Sequence, residues 1–250
     1  MVASANQRFH GKVVAVTAST DGIGYATARR LGDEGATVVI SSRKQRNVDR
    51  ALAQLRADGI KADGLTCNVG RKEDRERLRD FIEQKHGRLD GLVLNAAASL
   101  HFGPALETSE AAWDKTFDVN VKSTFLCCRD LLPLLESGGS IVIVGSITGF
   151  EPDSNIGAYS ITKTALLALS RVLAKELSSR EIRVNCIAPG IIRTRFSEPL
   201  VHAGLPKNMI IDRLGRPEEI AASIAFLVSD DSSYMSGESL TVSGGMQSRL

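Results

Sequence analysis

The sequence predicts an α/β protein: one doubly wound domain with a seven-stranded parallel sheet flanked by helices. Three observations carry this. Short apolar, β-branched runs alternate with longer amphipathic segments from residue 12 to residue 242 with almost no linker, and strand and helix taking turns makes βαβ units with right-handed crossovers. Several of the runs are nearly continuous Val, Ile and Leu, as in strands covered on both faces. The length of 250 residues, 43% hydrophobic and 24% charged, is ordinary for a globular chain that folds as a single α/β unit.

Residues 1–10 form a short polar lead-in. The first strand is expected at 12–17, around Val13, Val14 and Val16, and the helix at 24–34 stops before Gly35. A strand at 37–41 leads to a helix at 46–57 that stops before Gly59, and a strand at 61–66 to a helix at 71–84 that stops before Gly87. A glycine in that place supplies the left-handed residue that ends a helix at little cost. Leu92, Val93 and Leu94 mark a strand at 91–95, a long helical pattern covers 109–135, and Ile141, Val142, Ile143 and Val144 mark a strand at 140–145. A helix at 158–177, a strand at 183–187, a helix at 217–228 and a strand at 239–242 follow. Pro217 opens that last helix with Glu218 and Glu219 in its first turn, which suits the positive end of the dipole. Residues 188–212 carry Pro189, Gly190, Pro199, Gly204 and Pro206; an irregular segment this long in a compact domain is read as a substrate lid.

A net charge of +2 without a long basic run gives no nucleic-acid footprint. No apolar stretch reaches the ~18 residues of a membrane span, and no secretory signal pattern opens the chain. Cys67, Cys127, Cys128 and Cys186 include no C-x-x-C, so buried thiols in a reducing compartment are expected. His10, His86, His101 and His202 are scattered without metal-ligand spacing, and no metal is expected.

The first strand runs into Thr17-Ala18-Ser19-Thr20-Asp21-Gly22-Ile23-Gly24 and then a helix. Small residues let the backbone approach a pyrophosphate, and the helix start offers free N–H groups and partial positive charge. About 20 residues further on, a free ribose 2′-hydroxyl would call for an acid. The second strand instead ends Ser42-Arg43-Lys44, whose cations match a 2′-phosphate and point to NADPH over NADH.

Tyr159 and Lys163 stand four residues apart, on one face if 158–177 is helical. A cation fixed near a phenol lowers its pKa from about 10 toward working pH, making the pair a candidate proton donor. Such a pair is commonplace by itself; companions elsewhere give it weight.

Those companions are present in order: Thr17-Ala18-x-x-x-Gly22-x-Gly24, Leu94-Asn95-Ala96-Ala97, Val119-Asn120-Val121, Gly145-Ser146, Tyr159-x-x-x-Lys163, and Pro189-Gly190 ahead of Thr194. From the glycine turn to the C-terminus the chain resembles the short-chain dehydrogenase/reductases. Within that family, the phrases at 17–24, 41–45 and 183–190 and the ending Ser248-Arg249-Leu250 are similar to peroxisomal NADPH-dependent carbonyl and retinal reductases. The resemblance implies a Rossmann-type domain and reduction of a ketone or aldehyde by hydride transfer. It implies that Ser146 bonds the substrate carbonyl oxygen, Tyr159 donates the proton, Lys163 lowers the Tyr159 pKa and binds the nicotinamide ribose, and Asn120 holds a relay water. For NADPH/NADP+ it implies contacts from Thr17, Ser19, Thr20, Asp21, Gly22, Ile23 and Gly24, and from Ser42, Arg43 and Lys44. Asn68, Val69, Asn95, Ala96, Tyr159, Lys163, Pro189, Gly190, Ile192 and Thr194 would complete that contact set.

Departures from the family pattern are Ala18 for glycine, Leu94 and Ala97 in Asn-Asn-Ala-Gly, and Asn68 for Asp. Alanine is tolerable wherever φ is negative, so a reshaped but working site is expected. Alongside Ser146, the substrate would meet Ile147, Phe150, Ile191, Phe196 and Met209, an apolar lining that suits an aromatic ketone, an α-dicarbonyl or a retinal-like aldehyde. Ser248-Arg249-Leu250 differs from Ser-Lys-Leu only in its cation, so the expectation is a peroxisomal import receptor as partner, with the cytoplasm as the alternative location. Helices 109–135 and 158–177 carry surplus apolar residues, which suggests partner helices; the resemblance implies a homotetramer. Two other readings stay open: an NAD(P)-dependent alcohol or hydroxysteroid dehydrogenase working oxidatively, and a non-catalytic NADP-binding interaction protein, which would call for a broken Ser-Tyr-Lys set.

Overall fold

The structure, a computed structural model, describes residues 7–202, 204 and 209–246. Most of the predicted lead-in, residues 203 and 205–208 of the predicted lid, and the predicted address Ser248, Arg249 and Leu250 lie outside the described residues.

The elements follow as β1 (Val13–Val16), α1 (Gly22–Asp33), β2 (Thr37–Ser42), α2 (Gln45–Ala57), β3 (Ala62–Thr66), α3 (Lys72–His86), β4 (Leu89–Leu94), α4 (Glu110–Phe117) and α5 (Ser123–Leu131). Then come β5 (Leu135–Val144), α6 (Gly157–Glu176), β6 (Arg183–Pro189), α7 (Glu198–His202), α8 (Pro217–Val228) and β7 (Ser239–Val242). The seven strands form one sheet in the order β3-β2-β1-β4-β5-β6-β7, every neighbouring pair parallel. Strand order reverses between β1 and β4, and in open α/β sheets the crevice at the carboxyl ends of such strands is where ligands bind.

Two cores cover the sheet. Val14 and Val16 of β1 join Leu31, Ile40, Leu55 and Ile224 on one face, while Val13 and Ala15 join Leu78, Ile82, Leu131 and Leu166 on the other. The period-two alternation of a strand thus sends consecutive residues of one apolar run into opposite layers. Gly87 ends α3 at φ 73°, its N–H on the carbonyls of Ile82 and Glu83, the left-handed cap the sequence calls for. Among the described residues no helix is long and apolar enough to cross a membrane.

Two expectations are corrected. The helix expected over 109–135 is broken: α4 gives way to a π turn at Asp118–Lys122, then α5, then a 3₁₀ turn at Leu132–Leu134 that holds Pro133, and Leu135 already belongs to β5. The Ser123 hydroxyl donates to the Val119 carbonyl and Thr124 Oγ1 to the Asn120 carbonyl at 2.7 Å, bonds that draw helix carbonyls away from their regular partners. The segment 188–212 is also less irregular than expected. β6 runs on through Pro189 because Pro189 pairs with Val242 and Gly190 N donates to Val242 O at 3.0 Å, and α7 folds a short helix into the lid.

Candidate active site

At the end of β1, Thr17 turns inward: its Oγ1 accepts from Asn95 N at 2.9 Å and donates to Val93 O at 3.4 Å. Asn95 Nδ2 in turn donates to the carbonyls of Thr17 and Ala18. Asn95, predicted to contact a cofactor, therefore also laces the glycine turn to the end of β4. Ser19 is fully buried, its Oγ donating to Val16 O and accepting from Ser41 N, its N–H donating to Ser41 O. The Ser19 hydroxyl holds β1 to β2. Asp21 caps α1 by accepting from Gly22 N at 2.9 Å, and Ile23 packs on the core, while Thr20 is buried in the turn.

Gly24 leaves no space for a side chain, since a Cβ there would stand 2.6 Å from Ala18 O and from Asn95 Nδ2. The α1 start is thereby pressed against the turn. Ala18 itself has φ 51°, which overturns the premise that alanine is harmless here at negative φ; the bonds from Asn95 and Ser19 fix the backbone in the left-handed region all the same. Thr194 lies on the turn from the lid side, its Cγ2 3.1 Å from where a Gly22 Cβ would be. Ile192 is buried and bridges Gly215, while Gly190 lies against Ser243.

At the neighbouring strand end, Ser42 is half-buried and Arg43 and Lys44 are exposed. Lys44 is the N-cap of α2, without a side-chain cap bond, and no acid stands in the first turn. Free helix N–H groups and two cations make this corner favourable for an anion. β2 and β3 pair through Ser42 and Thr66, and Cys67 N donates to Ser42 O at 2.9 Å, so the turn at Asn68 and Val69 stands beside the same corner. The narrow glycine turn and the α1 start fit a nicotinamide dinucleotide, with the two cations at the β2 end beside them.

Ser146, Tyr159 and Lys163, the set expected to carry acid–base chemistry, lie further along the carboxyl edge. Ser146 follows β5, 8% exposed, with Oγ accepting from Thr148 N at 3.2 Å and bonded to Thr148 Oγ1 at 3.0 Å. Tyr159 and Lys163 project from one face of α6. Burial pushes the Tyr159 phenol up to about 12, against the pull of a hydrogen bond with Ser146. Lys163 is 1% exposed; its Nζ donates to Val144 O at 2.7 Å and stands 5.4 Å from the Tyr159 ring centroid. Burial draws this ammonium down to about 8, with Cys186 opposing. The expected lowering of the phenol by Lys163 is corrected: the cation faces the ring, and burial dominates the phenol.

Asn120, fully buried in the π turn, donates from Nδ2 to Ala98 O and Thr162 Oγ1, both at 2.9 Å, and accepts at Oδ1 from Ala98 N at 2.7 Å. Its side chain thus stitches the segment after β4 to α6, and its backbone carbonyl accepts from Thr124 Oγ1. Thr162, which donates to Tyr159 O at 2.6 Å, and Val144 are partners that sequence reasoning missed; the place of Thr162 between Tyr159 and Lys163 is the one signal that could have flagged it.

On the substrate side, Phe196 of the lid packs on Tyr159, ring centroids 5.7 Å apart and planes inclined by 46°. Ile147 is buried, and Phe150, Ile191 and Met209 are half-buried. A wall not foreseen comes from the segment after β4: Gly103 bridges Ile156, with Gly103 N on Asn155 O at 2.8 Å, bringing exposed Leu100 and Phe102 near the start of α6. All four cysteines are buried and free, and among the described residues no cluster of three or more acids, histidines and cysteines could hold a metal ion.

Comparison with known proteins agrees with this geometry. Residues 17–247 match the family model described as enoyl-(acyl carrier protein) reductase. The chain is 50% identical over 246 residues to dehydrogenase/reductase SDR family member 4 of Oryctolagus cuniculus, covering 96% of this chain and 95% of that protein. It is 49% identical to the Homo sapiens protein of that name, over 96% of this chain and 88% of the other. Among solved structures it superposes on a short-chain dehydrogenase/reductase (glucose/ribitol dehydrogenase) from Brucella melitensis with a TM-score of 0.90 at 29% identity, over 95% of this chain and 97% of that one. With its seven-stranded parallel sheet, glycine turn and Ser-Tyr-Lys set, the chain belongs to the short-chain dehydrogenase/reductases, oxidoreductases that use nicotinamide cofactors.

Proposed function

We propose that the protein is an NADPH-dependent carbonyl reductase acting on aromatic ketones, α-dicarbonyls and retinal-like aldehydes. The observation that carries this is the joining of Ser146, Tyr159 and Lys163 beneath the aromatic lid residue Phe196. The turn at residues 17–24 and the α1 start would hold the pyrophosphate, and Arg43 with Lys44 the 2′-phosphate, in place of the acid that a free 2′-hydroxyl would require. Pro189, Gly190 and Lys163 would flank the nicotinamide half.

When bound, the cofactor supplies a hydride to the carbonyl carbon. The Ser146 hydroxyl donates a hydrogen bond to the carbonyl oxygen and orients it. Tyr159 transfers its proton to that oxygen as negative charge develops; a phenol held near 12 keeps its proton until an alkoxide, more basic still, forms beside it. The Lys163 ammonium, anchored on Val144, would offer its remaining N–H groups to ribose hydroxyls, and the hydrogen bond with Ser146 would steady the phenolate left behind. Phe196, Leu100 and Phe102 keep the approach apolar. Oxidation of NADPH with a panel of carbonyl compounds, run with wild type and Tyr159→Phe, tests the reading; turnover in the mutant equal to wild type would overturn it.

Two further properties belong to the proposal. Phe125, Ile161 and Val172 are 44%, 44% and 58% exposed on α5 and α6, apolar surface that supports a homotetramer through these helices; a monomer in sedimentation velocity would refute it. The terminal Ser248-Arg249-Leu250 supports peroxisomal import, and a fluorescent fusion that keeps its punctate location after loss of Leu250 would refute that.

A further inference from the structure

Arg75 of α3 is 3% exposed, and burying a guanidinium costs several kcal/mol unless its hydrogen bonds are made. It makes two, to different elements. Nε donates to Asp130 Oδ2 of α5 at 2.8 Å, and Nη1 donates to the carbonyl of Val69, in the turn after β3, at 2.8 Å. Burial works to raise the Asp130 carboxyl, but hydrogen bonds from Arg75 and Arg129 outweigh it and hold it below the usual carboxylate range, so the pair is ionic. The preceding residue, Asp74, accepts from Asn68 N at 2.8 Å. Consecutive residues of α3 therefore grip consecutive residues of the turn, one through its N–H and the other through its C=O. Gly70 N closes the turn on Asn68 Oδ1 at 3.2 Å.

A buried ion pair is no better at filling a core than apolar side chains of equal volume. What the guanidinium does that a methionine would not is fix the Val69 peptide. That peptide stands beside the basic corner of Ser42, Arg43 and Lys44, because β3 pairs with β2 up to Ser42 and Cys67 N bonds Ser42 O. We propose that Arg75, braced by Asp130, is a positioning residue for the adenosine end of the cofactor site, setting the Asn68–Val69 turn against which the base lies. This rests on the dinucleotide reading given under the proposed function.

The test separates positioning from mere stability. Arg75→Lys keeps a cation for Asp130 and loses the fork that also reaches Val69; Arg75→Met/Asp130→Leu replaces the pair by an apolar one, so that folding is kept. Urea unfolding midpoints are measured beside the dissociation constants of NADPH and of adenosine 2′,5′-bisphosphate, which carries only the adenosine end. Both variants are expected to unfold near the wild-type midpoint while binding both ligands about tenfold more weakly, the scale of one charge-assisted hydrogen bond, with the kinetic loss in KM for NADPH and not in kcat. Wild-type affinity for the bisphosphate in either folded variant overturns the inference. Wild-type protein that binds neither ligand overturns the dinucleotide reading and the inference with it.

Discussion

Lys163 Nζ donates to the carbonyl oxygen of Val144 at 2.7 Å, so the buried cation of α6 is bonded to the last residue of β5, two positions before Ser146. The strand end that delivers the hydroxyl also holds the ammonium, and Tyr159 lies between the two functions, bonded to Ser146 and 5.4 Å by ring centroid from Lys163.

This arrangement predicts a pH dependence of stability. Burial draws the Lys163 ammonium to about 8, whereas a lysine in the unfolded chain titrates near ~10.4. Between those values the unfolded chain binds more protons than the folded one, so this residue makes stability rise with pH; below both, the folded state carries the full burial penalty. Tyr159, raised to about 12, acts in the opposite sense only above ~10, and equally in wild type and mutant. Urea unfolding of wild type against Lys163→Met should show the wild type gaining roughly 1–3 kcal/mol relative to the mutant between pH ~7.5 and ~10. A difference that stays flat would show that the ammonium is not penalised by its site.

Ala18 offers a stability gain. At φ 51° its Cβ costs about 1–2 kcal/mol relative to a residue at home in the left-handed region. Glycine recovers that and gives back part of it through the greater freedom of the unfolded chain, about 0.4–1 kcal/mol. Ala18→Gly should therefore raise the unfolding free energy by about 0.5–1 kcal/mol, read from the denaturant midpoint at unchanged slope. A fall in the midpoint would show that the methyl group has a packing role outweighing its strain.

The contrast between Ala18 and β1 shows what sequence could and could not carry. Val13, Val14, Ala15 and Val16 announce a doubly covered strand by composition alone, and the spacing of Tyr159 and Lys163 places both on one face of α6. Local patterns of that kind are complete within a few residues. The φ of Ala18 is set by Asn95, 77 positions on, and the burial of Arg75 by Asp130, 55 positions on. In the highly charged α3, Lys72–His86, an arginine reads as one more solvated side chain. The π turn is hidden as well: the residues from Asp118 to Lys122 keep a helical pattern, and the long-range bonds of Asn120 within it, to Ala98 and Thr162, leave no mark in that pattern.

Arg43 should govern cofactor choice. It is exposed at the β2 end next to Lys44, with no acid in the first turn of α2. Arg43→Asp supplies an acceptor for a free ribose 2′-hydroxyl and repels a 2′-phosphate. The ratio of kcat/KM for NADPH over NADH is expected to fall by on the order of a hundredfold, measured at fixed carbonyl concentration. An unchanged ratio would remove Arg43 from the 2′ corner and leave Lys44 as the remaining cation there.

Phe196 is 46% exposed, yet its ring packs on Tyr159 at 5.7 Å between centroids. A side chain that covers Tyr159 while keeping half its surface open is placed, on the proposed reaction, to meet the part of the substrate next to the reacting carbonyl. Aromatic pairs gain about 0.5–1.5 kcal/mol beyond simple burial, so Phe196→Leu should raise KM for aryl ketones about three- to tenfold and leave small aliphatic carbonyls nearly unaffected. Phe196→Ala, which removes apolar area as well, should weaken both classes. Steady-state kinetics with a matched pair such as an aryl and an alkyl methyl ketone reads the difference; equal losses for the two in Phe196→Leu would mean that the ring shapes the lid and does not touch the substrate.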